Sequence, residues 1–180
     1  MKILGIDPGM ADTGWAVVEQ PEPAQPARLF ASGIIRTSPR SRMSERLLAI
    51  HGELAALLRE HRPHAVAIEE MFFLKRADAM RSTLQARGVI LLAVAQAGAS
   101  VAEYNPRQVK SALTGSGRAE KAQMQRMVQR TLGLAQPLRP DDVADAAAIA
   151  LCHLRLSRYQ RMRVLDRVGR DWRTALAPKA

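Results

Sequence analysis

Cysteine is nearly missing from this 180-residue chain: Cys152 is the single thiol, and it sits in an apolar run. No disulfide framework can form, a reducing compartment is implied, and Cys152 is expected to be a buried structural thiol. Long hydrophobic runs are missing too. The longest uncharged stretch, Gly88 to Ala102, contains Gln96, Gly98 and Ser100. It falls short of the roughly 20 apolar residues that span a bilayer and reads as a buried helix followed by a strand. The first residues enter a strand pattern at once, without the basic, apolar and small-residue blocks of an export signal. A cytoplasmic protein is the expectation. No internal repeat or linker divides the chain, and at this length one domain can bury a real core.

Acidic residues are scarce, with 17 Asp and Glu against 27 Lys and Arg, a net charge of +10. An apolar content of 47% with 24% charged residues argues against intrinsic disorder. A basic surface draws polyanions and releases their counterions on binding, which makes nucleic acid the first candidate partner. Composition alone is equally compatible with an Arg-rich surface that binds nothing, so position has to decide.

"KILGID", "TGWAVVE" (Thr13–Glu19) and "ARLFASGIIR" (Ala27–Arg36) read as three consecutive strands, an antiparallel meander. Leu47, Ile50, Leu54, Leu57 and Leu58 then fall at helical spacing between Met43 and His61, with Ser44 as the expected cap. "PHAVAIEEMFF" predicts a fourth strand, "ADAMRSTLQARGVILLAVAQAG" a long helix and "SVAEY" a fifth strand. "PRQVKSAL" opens a helix on Pro106, "RAEKAQMQRMVQRTLGL" is another, and "DDVADAAAIALCHLRL" is the last. From Arg155 to Ala180 there are eight Lys and Arg against two Asp, with little periodicity, which reads as a frayed basic tail. The expected fold is α/β, a mixed five-stranded sheet of meander plus parallel strands, with helices on both faces. One domain over 1–157 and a flexible basic tail over 158–180 follow.

In such a sheet the carboxyl ends of neighbouring strands open onto a common crevice. Asp7 ends the first strand, and Glu69 and Glu70 end the fourth. Strand alternation sends one of these glutamates inward, and spacing does not say which. Asp142 and Asp145 lie three apart on one face of the last helix, a face that Ile149 and Cys152 continue into the core. An unpartnered buried carboxylate costs several kcal/mol, and "VADAAAIAL" carries no Arg to offset it. Hard divalent cations take clustered carboxylates from separate elements. Two such ions about 4 Å apart would activate a water and stabilise the leaving oxygen of a phosphodiester, which is nuclease chemistry. Taken singly, Asp141 and Asp142 at a helix start are more often a cap and a dipole partner than metal ligands. The joint pattern is what points to a site.

Six fragments in order, "GIDPG…TG", "AIEEMFF", "QARG", "RQVK", "GSGRAEKAQ" and "DDVADAAAIAL", resemble the RuvC family of Holliday-junction resolvases, collinearly from Lys2 to about His153. The resemblance implies a ribonuclease-H-like fold and a homodimer that makes paired, symmetric nicks in a four-way junction with Mg²⁺ or Mn²⁺, two ions per site. It implies a RuvA/RuvB-type branch-migration complex as a partner. By position it makes Asp7, Glu69, Asp142 and Asp145 the catalytic, metal-binding carboxylates, with Glu70 the outward neighbour and Asp141 the helix cap. Lys110 and Lys121 match lysines near the scissile phosphate, where they would position DNA or stabilise transition-state charge. Phe72 matches an aromatic that enters the junction centre, where stacking on an unpaired base is worth roughly 1–3 kcal/mol. Phe73 would share that role or fill core, and Lys75, Arg76, Arg107 and Arg118 would hold backbone phosphates.

His51 and His153 lie on helices with apolar neighbours and read as packed, and Trp15 reads as strand packing. Two rival functions stand beside the nuclease. An actin-like or sugar-kinase-like ATPase shares the opening "GIDxG" strand, yet nothing after Gly98 supplies its second Gly-rich phosphate loop. A non-catalytic junction-binding module would be expected to lack one of the four acids, and all are present.

Overall fold

The computed structural model describes residues 1–22, 24–70 and 77–157, excepting the side chains of 77–80. Strand β1 (Lys2–Asp7) pairs antiparallel with β2 (Asp12–Glu19), which pairs antiparallel with β3 (Arg28–Arg36). Helix α1 (Met43–His61) returns the chain to β4 (Ala65–Glu69), which lies parallel to β1 on its other side. Helix α2 (Ala77–Gln96) leads to β5 (Ser100–Tyr104), parallel to β4. The sheet order is therefore β3-β2-β1-β4-β5. Helices α3 (Pro106–Thr114), α4 (Lys121–Thr131) and α5 (141–157) follow.

Both faces of the sheet are covered, as a parallel β1/β4/β5 segment requires. Leu4, Ile6, Val17, Val66 and Ile68 point to one face, packed by Ile50, Leu54 and Leu58 of α1 and by Ala86, Ile90 and Val94 of α2. Ile3, Ala16, Val18, Ala65 and Ala67 point to the other, against α3, α4 and α5. Cys152 is buried there, and burial pushes its thiol up to about 12, so it is the inert structural group its apolar run implies.

Small residues let α5 lie directly on the centre of the sheet. A Cβ on Gly5 would stand 2.0 Å from the Ala146 carbonyl oxygen, and one on Gly14 would stand 2.1 Å from that of Asp142. Ala16, Ala67, Ala146, Ala147 and Ala150 complete the contact. This close seat sets the first turns of α5 against the carboxyl end of β1.

The strands and helices occupy the expected stretches, and the expected cap of α1 and the expected start of α4 need correction. Ser44 does not cap α1. Arg42 is the N-cap, and the Glu45 carboxylate accepts from its backbone N–H at 3.0 Å, so the acid three residues on closes the turn. Helix α4 begins at Lys121 rather than at Arg118, because residues 115–120 form a turn with Glu120 at the N-cap. His51 bonds Gln96 across α1 and α2 at 2.7 Å, and His153 meets the Tyr104 hydroxyl at 2.9 Å. Trp15 packs against His61, with ring centroids 5.9 Å apart. Among the described residues no helix is long and apolar enough to cross a membrane.

Candidate active site

Alternation along β1 places Ile3, Gly5 and Asp7 on the α5 face and Leu4 and Ile6 on the other. Along β4 the same rule puts Ala65, Ala67 and Glu69 on the α5 face. Ile6 and Ile68 are register partners, so Asp7 and Glu69 are the next residues along two adjacent parallel strands, on one face. Glu69 is thus the inward glutamate, and Glu70 is exposed, its N–H donating to the Tyr104 carbonyl at 2.8 Å. Across β2, Asp7 faces Gly14, the residue whose missing Cβ admits α5.

The turn that follows Asp7 is fixed from several sides. The buried Thr13 hydroxyl donates to the Gly9 carbonyl at 2.6 Å, and the Arg46 guanidinium on α1 donates to the Met10 carbonyl at 3.1 Å and to the Thr37 hydroxyl at 2.8 Å. Asp142 and Asp145 lie in the first two turns of α5, where the positive end of the helix dipole favours negative side chains.

The electrostatics tie the four acids together. Burial, then the charges of Glu69, Asp145 and Asp142, push the Asp7 carboxyl up to about 8, with Lys121 pulling the other way. Burial and Asp145 raise Glu69, opposed by Lys110. Burial raises Asp145, opposed by the Lys121 ammonium 3.6 Å away. A cleft of about 210 Å³ beside them is lined by Glu69, Lys110, Lys121 and Asp145, with Pro106, Val109 and Met124 among its apolar walls.

Six of the residues singled out from sequence therefore converge: Asp7, Glu69, Asp142, Asp145, Lys110 and Lys121. Arg107 and Arg118 are exposed near the turn between α3 and α4, and neither lines the cleft. Phe72, Phe73, Lys75 and Arg76 lie outside the described residues, as does the tail over 158–180. Asp141 is not the cap that its position suggests. It is the first residue of α5, and its carboxylate takes Lys121 Nζ at 3.0 Å, Arg139 Nη1 at 2.7 Å and Gln125 Nε2 at 2.9 Å. Sequence reasoning passed over Arg139 and Gln125. The signal for Gln125 was its place four residues after Lys121, on the same face of α4.

Four carboxylates are an all-oxygen donor set of the kind hard divalent cations take, and their mutual repulsion at Asp7 is what added positive charge would relieve. The donor set fits such ions. Among the described residues no three Asp, Glu, His or Cys side chains are already spaced as a closed ligand group. Asp145 is engaged by Lys121.

A five-stranded sheet in the order 3-2-1-4-5, antiparallel up to β1 and parallel beyond it, with acids at the ends of β1 and β4 and on the helix laid across them, defines a ribonuclease-H-like protein with a nuclease-type carboxylate cleft. The family model described as crossover junction endodeoxyribonuclease RuvC matches residues 3–153. The crossover junction endodeoxyribonuclease RuvC of Syntrophomonas wolfei is 49% identical over 154 residues, 86% of this chain and 88% of that protein. Thermus thermophilus RuvC superimposes with a TM-score of 0.83 at 40% identity, covering 89% of this chain and 97% of the other. Its complex with a Holliday junction substrate gives 0.85 at 40% identity, covering 89% and 96%. The chain belongs to the RuvC family of crossover junction endodeoxyribonucleases. Nucleases of this family depend on metal ions in general.

Proposed function

We propose that this endonuclease resolves four-way (Holliday) DNA junctions in recombination and repair, nicking two opposed strands symmetrically and leaving 5′-phosphate and 3′-hydroxyl ends that a ligase can rejoin. The observation that carries the reading is the convergence of Asp7, Glu69, Asp142 and Asp145 beside a cleft that also holds Lys110 and Lys121. All four acids being in place favours a working nuclease over a module that only binds.

In this reading the four carboxylates would hold Mg²⁺ or Mn²⁺, two ions per site, and the ions would supply Lewis acidity for the attacking water and positive charge for the leaving oxygen. Lys110 and Lys121 draw the scissile phosphate into the cleft and offset the charge that builds on it. Arg107 and Arg118, exposed near the turn between α3 and α4, would hold backbone phosphates. Phe72 stacks on a junction base, Phe73 assists it or packs beneath, and Lys75 and Arg76 hold phosphates from the same segment. Residues 1–157 form the nuclease domain and 158–180 a basic tail. The protein works in the cytoplasm, alongside a RuvA/RuvB-type branch-migration complex.

The reading includes a homodimer. Leu84 and Leu92 are 43% and 53% exposed on α2, with Gly88 between them opening onto free space, so three residues spaced by four make an apolar strip on the outer face. Leu48 of α1 is exposed as well, at 71%. A second copy laid on this strip would bury it about a two-fold axis and present two clefts to a junction that is itself roughly two-fold.

The test is Asp7→Asn. The variant should bind a four-way junction with an affinity within about threefold of the parent, and its cleavage should fall on the order of a thousandfold. A nicking rate equal to the parent's would falsify the assignment.

A further inference from the structure

A lysine with four rotatable bonds and a compact charge does not aim itself, and Lys121 is more than half exposed. Its ammonium is nonetheless held in a defined place, 3.0 Å from Asp141 Oδ2 and 3.6 Å from Asp145 Oδ2. Asp141 does not line the cleft, whereas Lys121 and Asp145 do. Its other oxygen, Oδ1, accepts from Arg139 Nη1 at 2.7 Å and from Gln125 Nε2 at 2.9 Å. Exposed ion pairs of this kind add little to stability, so the consequence of the arrangement is position.

We propose that Asp141 is a positioning residue for strand cleavage: braced by Arg139 and Gln125, it holds the Lys121 ammonium at the cleft edge where the scissile phosphate is bound. The inference rests on the reading of Lys121 as a group that acts at the phosphate. Asp141 touches no reacting atom and acts through Lys121. Gln125 lies one turn after Lys121 on α4, and Arg139 enters just before α5, so the brace joins the two helices whose relative placement sets the distance from lysine to carboxylates.

The experiment is a double-mutant cycle on the full chain, with single-turnover cleavage of a synthetic four-way junction under saturating protein, junction affinity measured separately and thermal midpoints recorded. Asp141→Ala should slow cleavage about tenfold. Junction affinity should change less than twofold, and the thermal midpoint should move little. Lys121→Ala should slow cleavage at least as much, and the double variant should be no slower than Lys121→Ala alone. Arg139→Ala, which leaves Asp141 in place without its brace, should give a smaller loss in the same direction. In the protein without DNA, the Lys121 Nζ proton resonance should exchange faster with water in Asp141→Ala than in the parent. Losses that multiply in the double variant, or parental cleavage by Asp141→Ala beside an impaired Lys121→Ala, would overturn the inference while leaving the nuclease reading intact. Parental cleavage by Lys121→Ala would instead remove the role of Lys121, and the inference with it.

Discussion

At Asp7, burial and the three neighbouring carboxylates act in one direction, and both penalise the ionised form. The consequence for stability has a definite sign. With the folded-state carboxyl raised from an ordinary 3.8 to about 8, the native protein binds more protons than the unfolded chain between those values. Stability is therefore highest below about pH 4 with respect to this group and falls as pH rises, by roughly 1.4 kcal/mol per pH unit at the steepest. Asp7→Asn should accordingly raise the thermal midpoint of the metal-free protein most at pH 8 and hardly at all near pH 4. Scanning calorimetry across that range checks it, and a variant destabilised at pH 8 would contradict it. Mg²⁺ at pH 8 should likewise raise the midpoint of the parent more than that of Asp7→Asn, since the ion binds only the folded site. For Phe72, the expectation is that Phe72→Ala slows cutting of intact junctions and leaves cutting of pre-opened ones unchanged, as read on paired substrates. Equal rates for both proteins on intact junctions would remove Phe72 from its proposed role.

Among the elements, α5 decides whether the site exists. It brings two of the four acids and can do so only because Gly5 and Gly14 leave room for its backbone. Gly14→Ala forces a methyl group to within 2.1 Å of the Asp142 carbonyl oxygen, so the helix must lift. The expected cost is about 1–3 kcal/mol in denaturant unfolding, with cleavage reduced more than stability alone explains. A variant with parental stability and activity would show that the close seat is unnecessary. This contact was not legible in the sequence. Periodicity exposed α1, the strands and the apolar face of α5, because each is a pattern within one element. Asp7 at a strand end and Asp142 and Asp145 on one helix face were legible for the same reason. Which glutamate turned inward was not legible in the spacing and came only from the family resemblance, which the register of β4 against β1 matches; Asp141's engagement with Lys121 needed two helices in place. Ser44 failed as a cap because the backbone entered α1 earlier, at Arg42, with Glu45 close enough to bond it. Cap identity depends on where the chain arrives from, which local composition does not record.

For the whole molecule, a chain of net charge +10 bears a cleft lined by clustered acids, and in the proposed reading its basic surface would collect phosphates that the cleft accepts once the acids are neutralised. The exposed strip of α2 adds the proposed two-fold pairing. Leu92→Arg should convert the dimer to monomers in sedimentation velocity and turn paired cuts into single, uncoordinated nicks. A dimeric Leu92→Arg would place the interface elsewhere. The most direct measurement of the central claim is incubation of the intact protein with a synthetic mobile four-way junction, with and without divalent metal, beside linear duplex. Opposed nicks with ligatable ends, confined to the junction and to the metal-containing reaction, are the predicted result; cutting that ignores the metal or treats the duplex equally would contradict it.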